Sequence, residues 1–247
     1  SSRLPGKVMK DIAGKPMLIH VVERIRRSML ADGLIVAATS DPSDDPVEKF
    51  CRDFDIQCFR GSQFDVLDRF YQAAALFSAG IVIRITADCP LIDPDLLDDL
   101  LMDFESQSVD FAANRLPPPF KRTFPIGLDI EICTFGALER AWKEADQVFH
   151  REHVMPFFYE DINLEKITPT LSKATSSRGF KVLLKDHSED LGGQRWTVDT
   201  PQDLEFVQQV FENFDGRNDF SWLEVLDLVR SKPELSLINA GIRHKNM

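Results

Sequence analysis

IVIRITADCPLIDPDLLDDL, residues 81–100, is the stretch on which the fold turns. Ile81 to Ile85 is an apolar, β-branched run broken only by Arg84, as a strand inside a sheet requires. Pro94 to Phe104 carries leucines at helical spacing, with proline in the first turn where its missing N–H costs nothing. Between them lies a short loop holding Asp88. A strand, a loop and a returning helix make half of a β-α-β unit.

The same unit repeats outward. Upstream, Leu18, Val21, Val22 and Ile25 stand at i, i+3, i+4 and i+7 and predict a helix over Pro16–Arg27. Leu34–Ala38 and Ile56–Phe59 read as strands, and Asp45–Phe54 and Phe64–Phe77 as helices. Downstream, strands are expected at Phe111–Asn114, Leu128–Ile132, Leu164–Thr168, Phe180–Leu184 and Arg195–Val198. Helices are expected at Phe135–Ala145, around His153–Phe158, at Thr200–Phe211 and at Phe220–Val229. LPPPFKRTFPIG, residues 116–127, is a proline-rich loop. The pattern predicts an α/β chain with a mainly parallel sheet flanked by helices, in a single domain over residues 1–247.

Bulk properties exclude several classes. The net charge of −11 disfavours a nucleic-acid surface. The apolar runs fall well short of the ~20 residues of a membrane span. Four cysteines without CxxC pairing point to reduced thiols and a cytoplasmic setting. The first 27 residues run against the acidic whole, with seven basic side chains and two acidic ones. A local basic pocket in an acidic body suits a small anion.

In open α/β sheets, ligands gather outside the carboxyl ends of strands. Asp88 stands after the strand Ile81–Ile85, and Asp199 after Arg195–Val198. Two carboxylates so placed can hold Mg²⁺, which takes oxygen ligands and few of them from protein. Either aspartate can equally be a turn or helix cap; Thr200 is available to cap the helix after Asp199. SRLPGK, residues 2–7, is no Walker loop, but Gly6 permits close approach and Arg3 and Lys7 can donate to phosphate oxygens. Asp129 and Glu131 in GLDIE share one strand face, a pattern for a pocket wall. His150 and His153 have HxxH spacing without a nearby third ligand, and Cys89 has no base beside it.

SSRLPGKVMKDIAGKPMLIHVVERI, GSQFDVLDRFYQAA, VIRITADCPLIDPDLLDDL, FPIGLDIEICTFGALERAW, REHVMPFFY and WTVDTPQDLEFV together resemble the cytidylyltransferase family. The branch they resemble is the SpsF-like, spore-coat polysaccharide type, with the CMP-KDO and CMP-sialic acid synthetases further off. The resemblance implies a Rossmann-like nucleotide-diphospho-sugar transferase (GT-A-like) fold. It implies a reaction of CTP with a small acidic or modified sugar to give CMP-sugar and pyrophosphate, with Mg²⁺ as cofactor. Carried onto matching positions, Arg3 and Lys7 would hold the triphosphate and, with Asp88, carry the catalysis. Ser2, Gly6, Asp65, Asp68, Arg69 and Thr86 would line the nucleotide site. Asp88 and Asp199 would ligate Mg²⁺, while Asp129 and Glu131 would face the acceptor sugar. In that family a first strand directly precedes SRLPGK, and FPIGLD often carries a polar residue where Ile126 stands. A homodimer is the candidate assembly. The rival readings are a nucleotide-sugar-dependent glycosyltransferase and a non-catalytic sugar- or nucleotide-binding module.

Overall fold

The computed structural model describes residues 3–242, so the expectation for Ser2 lies outside the described residues. After a 3-10 turn at Lys7–Met9 come a small hairpin, β1 (Asp11–Ile12) and β2 (Lys15–Pro16), and helix α1 (Met17–Ile25). Then follow β3 (Ile35–Thr39), α2 (Asp45–Asp53), β4 (Gln57–Gly61), α3 (Val66–Leu76), β5 (Ile81–Arg84), α4 (Pro94–Gln107) and β6 (Phe111–Ala113). The second half holds β7 (Glu131–Thr134), α5 (Phe135–Glu144), α6 (Val148–His153), α7 (Pro156–Tyr159), β8 (Glu165–Lys166), β9 (Leu171–Thr175) and β10 (Lys181–Lys185). Helices α8 (Pro201–Asn213), α9 (Trp222–Ser231) and α10 (Glu234–Leu237) close the chain.

The α/β class is as expected, but the sheet is mixed and not mainly parallel. Its order is β5-β7-β6-β10-β9-β8, and β3 and β4 form a separate parallel pair. Within the larger sheet β6 and β10 run parallel, while β5–β7, β6–β7, β9–β10 and β8–β9 run antiparallel. The connections explain this. Strands joined through helices, such as β3 to β4, return in the same direction, whereas the loop after β6 contains no helix and brings β7 back reversed. β7 thereby wedges between β5 and β6, the two strands of the predicted β-α-β unit.

Side-chain alternation sorts the core onto the two faces of the sheet. Ile83, Ile132, Ala112 and Leu183 stand opposite one another across four strands and point into a core with Leu97 and Leu100 of α4 and Val207 and Phe211 of α8. Phe111, Ala113, Cys133 and Val182 face the other way, onto Leu67 of α3, Leu138 of α5 and Phe158 of α7. A third cluster joins α1 and α2 to β3 through Leu18, Val22, Ala38 and Phe50.

Two further expectations are corrected. Arg195–Val198 is not a strand: among the described residues its one β-bridge is the parallel one from Ile126 to Arg195, although buried Trp196 and Val198 alternate as in a strand. The helix expected around His153–Phe158 is two helices. Val154, at φ 67° and ψ −67°, separates α6 from α7, a conformation costly for a β-branched residue. His150 Nε2, hydrogen-bonded to Glu160 across 2.7 Å, ties the two sides of that break together.

Candidate active site

Asp88 follows β5 by four residues, and its carboxylate accepts no backbone N–H among the described residues, so it caps no turn there. Its main-chain oxygen is fixed by the N–H of Val198 at 2.9 Å and the hydroxyl of Thr197 at 3.1 Å. That binds the end of β5 to the segment that carries Asp199. Asp199 is also free of capping duty. Thr200 is the N-cap of α8 and forms a capping box with Asp203. Both carboxylates are therefore available to the cleft.

Lys7 joins them. Its Nζ donates to Asp88 Oδ2 at 2.6 Å and to Asp199 Oδ1 at 2.8 Å. Two contacts this short to one nitrogen bring the carboxylates within reach of a single bridging cation. Gly6 makes the approach possible: it takes φ +62° with open space where a side chain would start, so backbone conformation and not crowding calls for glycine. Arg3 adds a contact of 3.0 Å to Asp199 Oδ2.

Behind Asp199 stands a residue that the motifs alone did not single out. Arg195 donates through Nη2 to Asp199 at 2.8 Å and through Nε to Asp203 at 2.8 Å. The spacing 195, 199 and 203 was the available signal. Burial alone would push the Asp199 carboxyl up, but Lys7, Arg195 and Arg3 outweigh it and hold the pKa at about 2. Burial likewise opposes the charge on Lys7, and the Asp88 and Asp199 carboxylates more than offset it, leaving the ammonium pKa raised. Asp199 and Lys7 are thus both ionised at neutral pH.

The remaining expected residues fall into two groups. Asp129 and Glu131 each meet an arginine: Arg122 forks onto Asp129, with Nη2 at 2.9 Å, and Arg84 pairs with Glu131. Thr86 lies beside the cluster, its hydroxyl 3.1 Å from Cys89 Sγ. Asp65, Asp68 and Arg69 form no contact with Lys7, Asp88 or Asp199. Asp65 caps α3 and receives Arg151 at 2.6 Å, Asp68 accepts from Trp142 Nε1 at 2.8 Å, and Arg69 donates to the Ser62 carbonyl at 2.6 Å. Asp93, a potential partner in a DxD metal motif with Asp95, instead caps α4 through the N–H groups of Asp95 and Leu96. His150 is buried on Glu160, away from the cluster.

A cytidylyltransferase family model matches residues 1–214. The chain belongs to the cytidylyltransferase family. It is 32% identical to an uncharacterised protein of Methanocaldococcus jannaschii over all of this chain and 93% of that one. To the spore coat polysaccharide biosynthesis protein SpsF of Bacillus subtilis it is 28% identical, over 95% of this chain and 91% of that one. Among solved structures, a cytidylyltransferase from Leptospira borgpetersenii superposes with a TM-score of 0.84 at 28% identity, covering 99% of this chain and 94% of that one. The family and the Rossmann-like nucleotidyltransferase fold thus agree with the expectation drawn from the motifs. Among the described residues no helix is long and apolar enough to cross a membrane.

Proposed function

We propose that this cytidylyltransferase joins the cytidylyl group of CTP to a hydroxyl of an acidic or modified sugar and releases pyrophosphate, in the making of a surface polysaccharide or glycoconjugate. The observation that carries this reading is the bridge from Lys7 to Asp88 and Asp199. A cation held between these two carboxylates can transfer its hydrogen bonds to an arriving triphosphate, which frees both carboxylates for a metal ion that accompanies the phosphates. In the transfer, the acceptor oxygen bonds to the α-phosphorus, the bond from α-phosphorus to the bridging oxygen breaks, and the hydroxyl proton passes to solvent. Lys7 and Arg3 donate to the oxygens on which negative charge accumulates, and fixed donors of this kind typically contribute 10²–10³ in rate. Arg195 keeps Asp199 oriented throughout.

The donor set fits Mg²⁺, which binds through one or two carboxylates together with substrate phosphates. Asp88 and Asp199 would hold it, and it would supply charge neutralisation at the phosphates.

Pyrophosphate release measured across the four nucleoside triphosphates, with a panel of acidic sugars, tests the reading. Release from CTP in the presence of one such sugar is expected. Nucleotide release from a sugar nucleotide, without pyrophosphate, would establish glycosyl transfer instead.

A further inference from the structure

Lys7 and Arg3 are neutralised by carboxylates, so the site's surplus positive charge lies elsewhere. Arg84, Glu131 and Ala113 stand directly opposite one another on β5, β7 and β6. Residues so paired share one face of the sheet. Asn114, just past β6, locks this region by donating to the Leu128 carbonyl at 2.6 Å and accepting from the Ile130 N–H at 2.9 Å. Arg115 emerges from that clamp. It is 8% exposed, and its guanidinium has no hydrogen bond or ion pair among the described residues. Tyr159 of α7, 7% exposed and packed on Phe111, presents a hydroxyl that likewise has no partner, and it lies within the electrostatic reach of Arg115, Arg84 and Glu131.

Two more orphan donors border the same place. Arg84 gives Nη1 to Glu131 but leaves Nε buried and unpartnered, and the Nε of Arg69 is in the same state. Of these three arginines, Arg84 alone is paired with a carboxylate, Glu131, among the described residues. Burying an arginine without a partner is expensive, and native chains seldom do so unless a ligand supplies the anion. Arg84 ends β5, four residues before Asp88, whose carboxylate acts on it electrostatically.

We infer that Arg115, with the Tyr159 hydroxyl and the free Nε of Arg84, forms an anion site for the acceptor: it receives an anionic oxygen group of the acceptor molecule, separate from the triphosphate at Lys7. This rests on the nucleotidyl-transfer reading above and assigns the specificity for the second substrate. A guanidinium and a hydroxyl can each donate to an oxygen of one anionic group. Glu131 aligns Arg84 and limits how much negative charge the site accepts.

The test uses the whole chain and its Arg115→Gln and Arg115→Lys variants. Acetate, D-glucuronate, D-glucose 6-phosphate and D-glucose serve as probes at constant ionic strength. Binding is followed by the ¹⁵N resonances of arginine Nε, and CTP affinity is measured separately by calorimetry. Wild type should show saturable shifts with acetate and with at least one of the two sugar anions, and none with glucose. Arg115→Gln should weaken that binding by about 10–100-fold, the range of a charge-assisted hydrogen bond, with Arg115→Lys in between. CTP affinity should stay within a factor of two, and the melting temperature should hold or rise, because the change removes an unpaired buried charge. The stronger sugar anion identifies the group as carboxylate or phosphate. Unchanged anion binding in Arg115→Gln, or none in wild type, would overturn the site. A parallel loss of CTP affinity would place Arg115 in the nucleotide site and also overturn it. If anion binding behaves as expected while no nucleotide supports pyrophosphate release, the nucleotidyl-transfer reading fails and the anion site survives.

Discussion

Lys7 Nζ lies 2.6 Å from Asp88 Oδ2, across 81 residues of sequence, and donates with the same nitrogen to Asp199. Each carboxylate is thereby held in place by the same cation. The relationship yields a set of expected outcomes for single substitutions.

Lys7→Ala should raise KM for CTP and lower kcat together, reducing kcat/KM by about 10²–10³. The circular dichroism spectrum should stay that of wild type. Kinetics indistinguishable from wild type would take Lys7 out of the site.

Asp88→Asn keeps an acceptor for Lys7 and disturbs no cap, since Asp88 provides none. Stability should therefore hold. If the carboxylate ligates Mg²⁺, turnover should drop by about 10²–10³ and the Mg²⁺ concentration for half-maximal rate should rise. An Asp88→Asn protein with normal, Mg²⁺-dependent pyrophosphate release would defeat the ligand assignment.

Acid should loosen the cluster in a defined window. The Asp199 carboxyl is depressed from 3.8 to about 2 because the hydrogen bond and charge of Lys7, with Arg195 and Arg3, overcome the opposing effect of burial. A depressed carboxyl stabilises the folded state when ionised, so its contribution is complete above pH 3.8 and fades as pH falls toward 2. The shift corresponds to about 2 kcal/mol at most. Acid titration of unfolding should show a shallower slope between these limits for Asp199→Asn than for wild type. Identical slopes would mean that Asp199 does not carry this linkage.

The helices were legible because each shows its apolar stripe: α1 and α4 lie within a few residues of where the leucine and valine spacing puts them. Asp88 and Asp199 were visible as strand-end acids, and the structure removes the competing cap reading by giving that duty to Thr200. What sequence could not reveal is the partner choice of β7, because its four residues read the same in either direction and the helix-free loop before it sets the pairing. Arg84 and Arg115 were equally hidden. An arginine inside or just after a strand looks like a solvated edge until its neighbours in space are known. Arg69 was visible in its motif, but its donation to Ser62 is set by a loop closure that no spacing encodes.

Gly127 offers a test of how tightly the second half of the site is held. It takes φ +110°, and a Cβ there would sit 2.6 Å from the Thr197 nitrogen, next to the bridge between Ile126 and Arg195. Gly127→Ala should cost about 2–4 kcal/mol from backbone strain and overpacking together, and lower the melting temperature by roughly 5–15 °C. Activity should fall at temperatures where the protein remains folded, because the displaced segment carries Asp199. A melting curve superimposable on wild type would show that the loop gives way without cost.

The contact between Lys7 and Asp199 closes a loop of 192 residues. Nothing local can form it: the entropy of closing so long a loop must be met by the packing of everything between. During synthesis, Lys7 emerges 192 residues ahead of Asp199 and waits for the segment ahead of α8 before it has its second carboxylate. Partly folded chains with most of their helices in place would therefore lack the assembled cluster, and on the function proposed above CTP binding would report that the fold is complete long after spectroscopic helix content has levelled off.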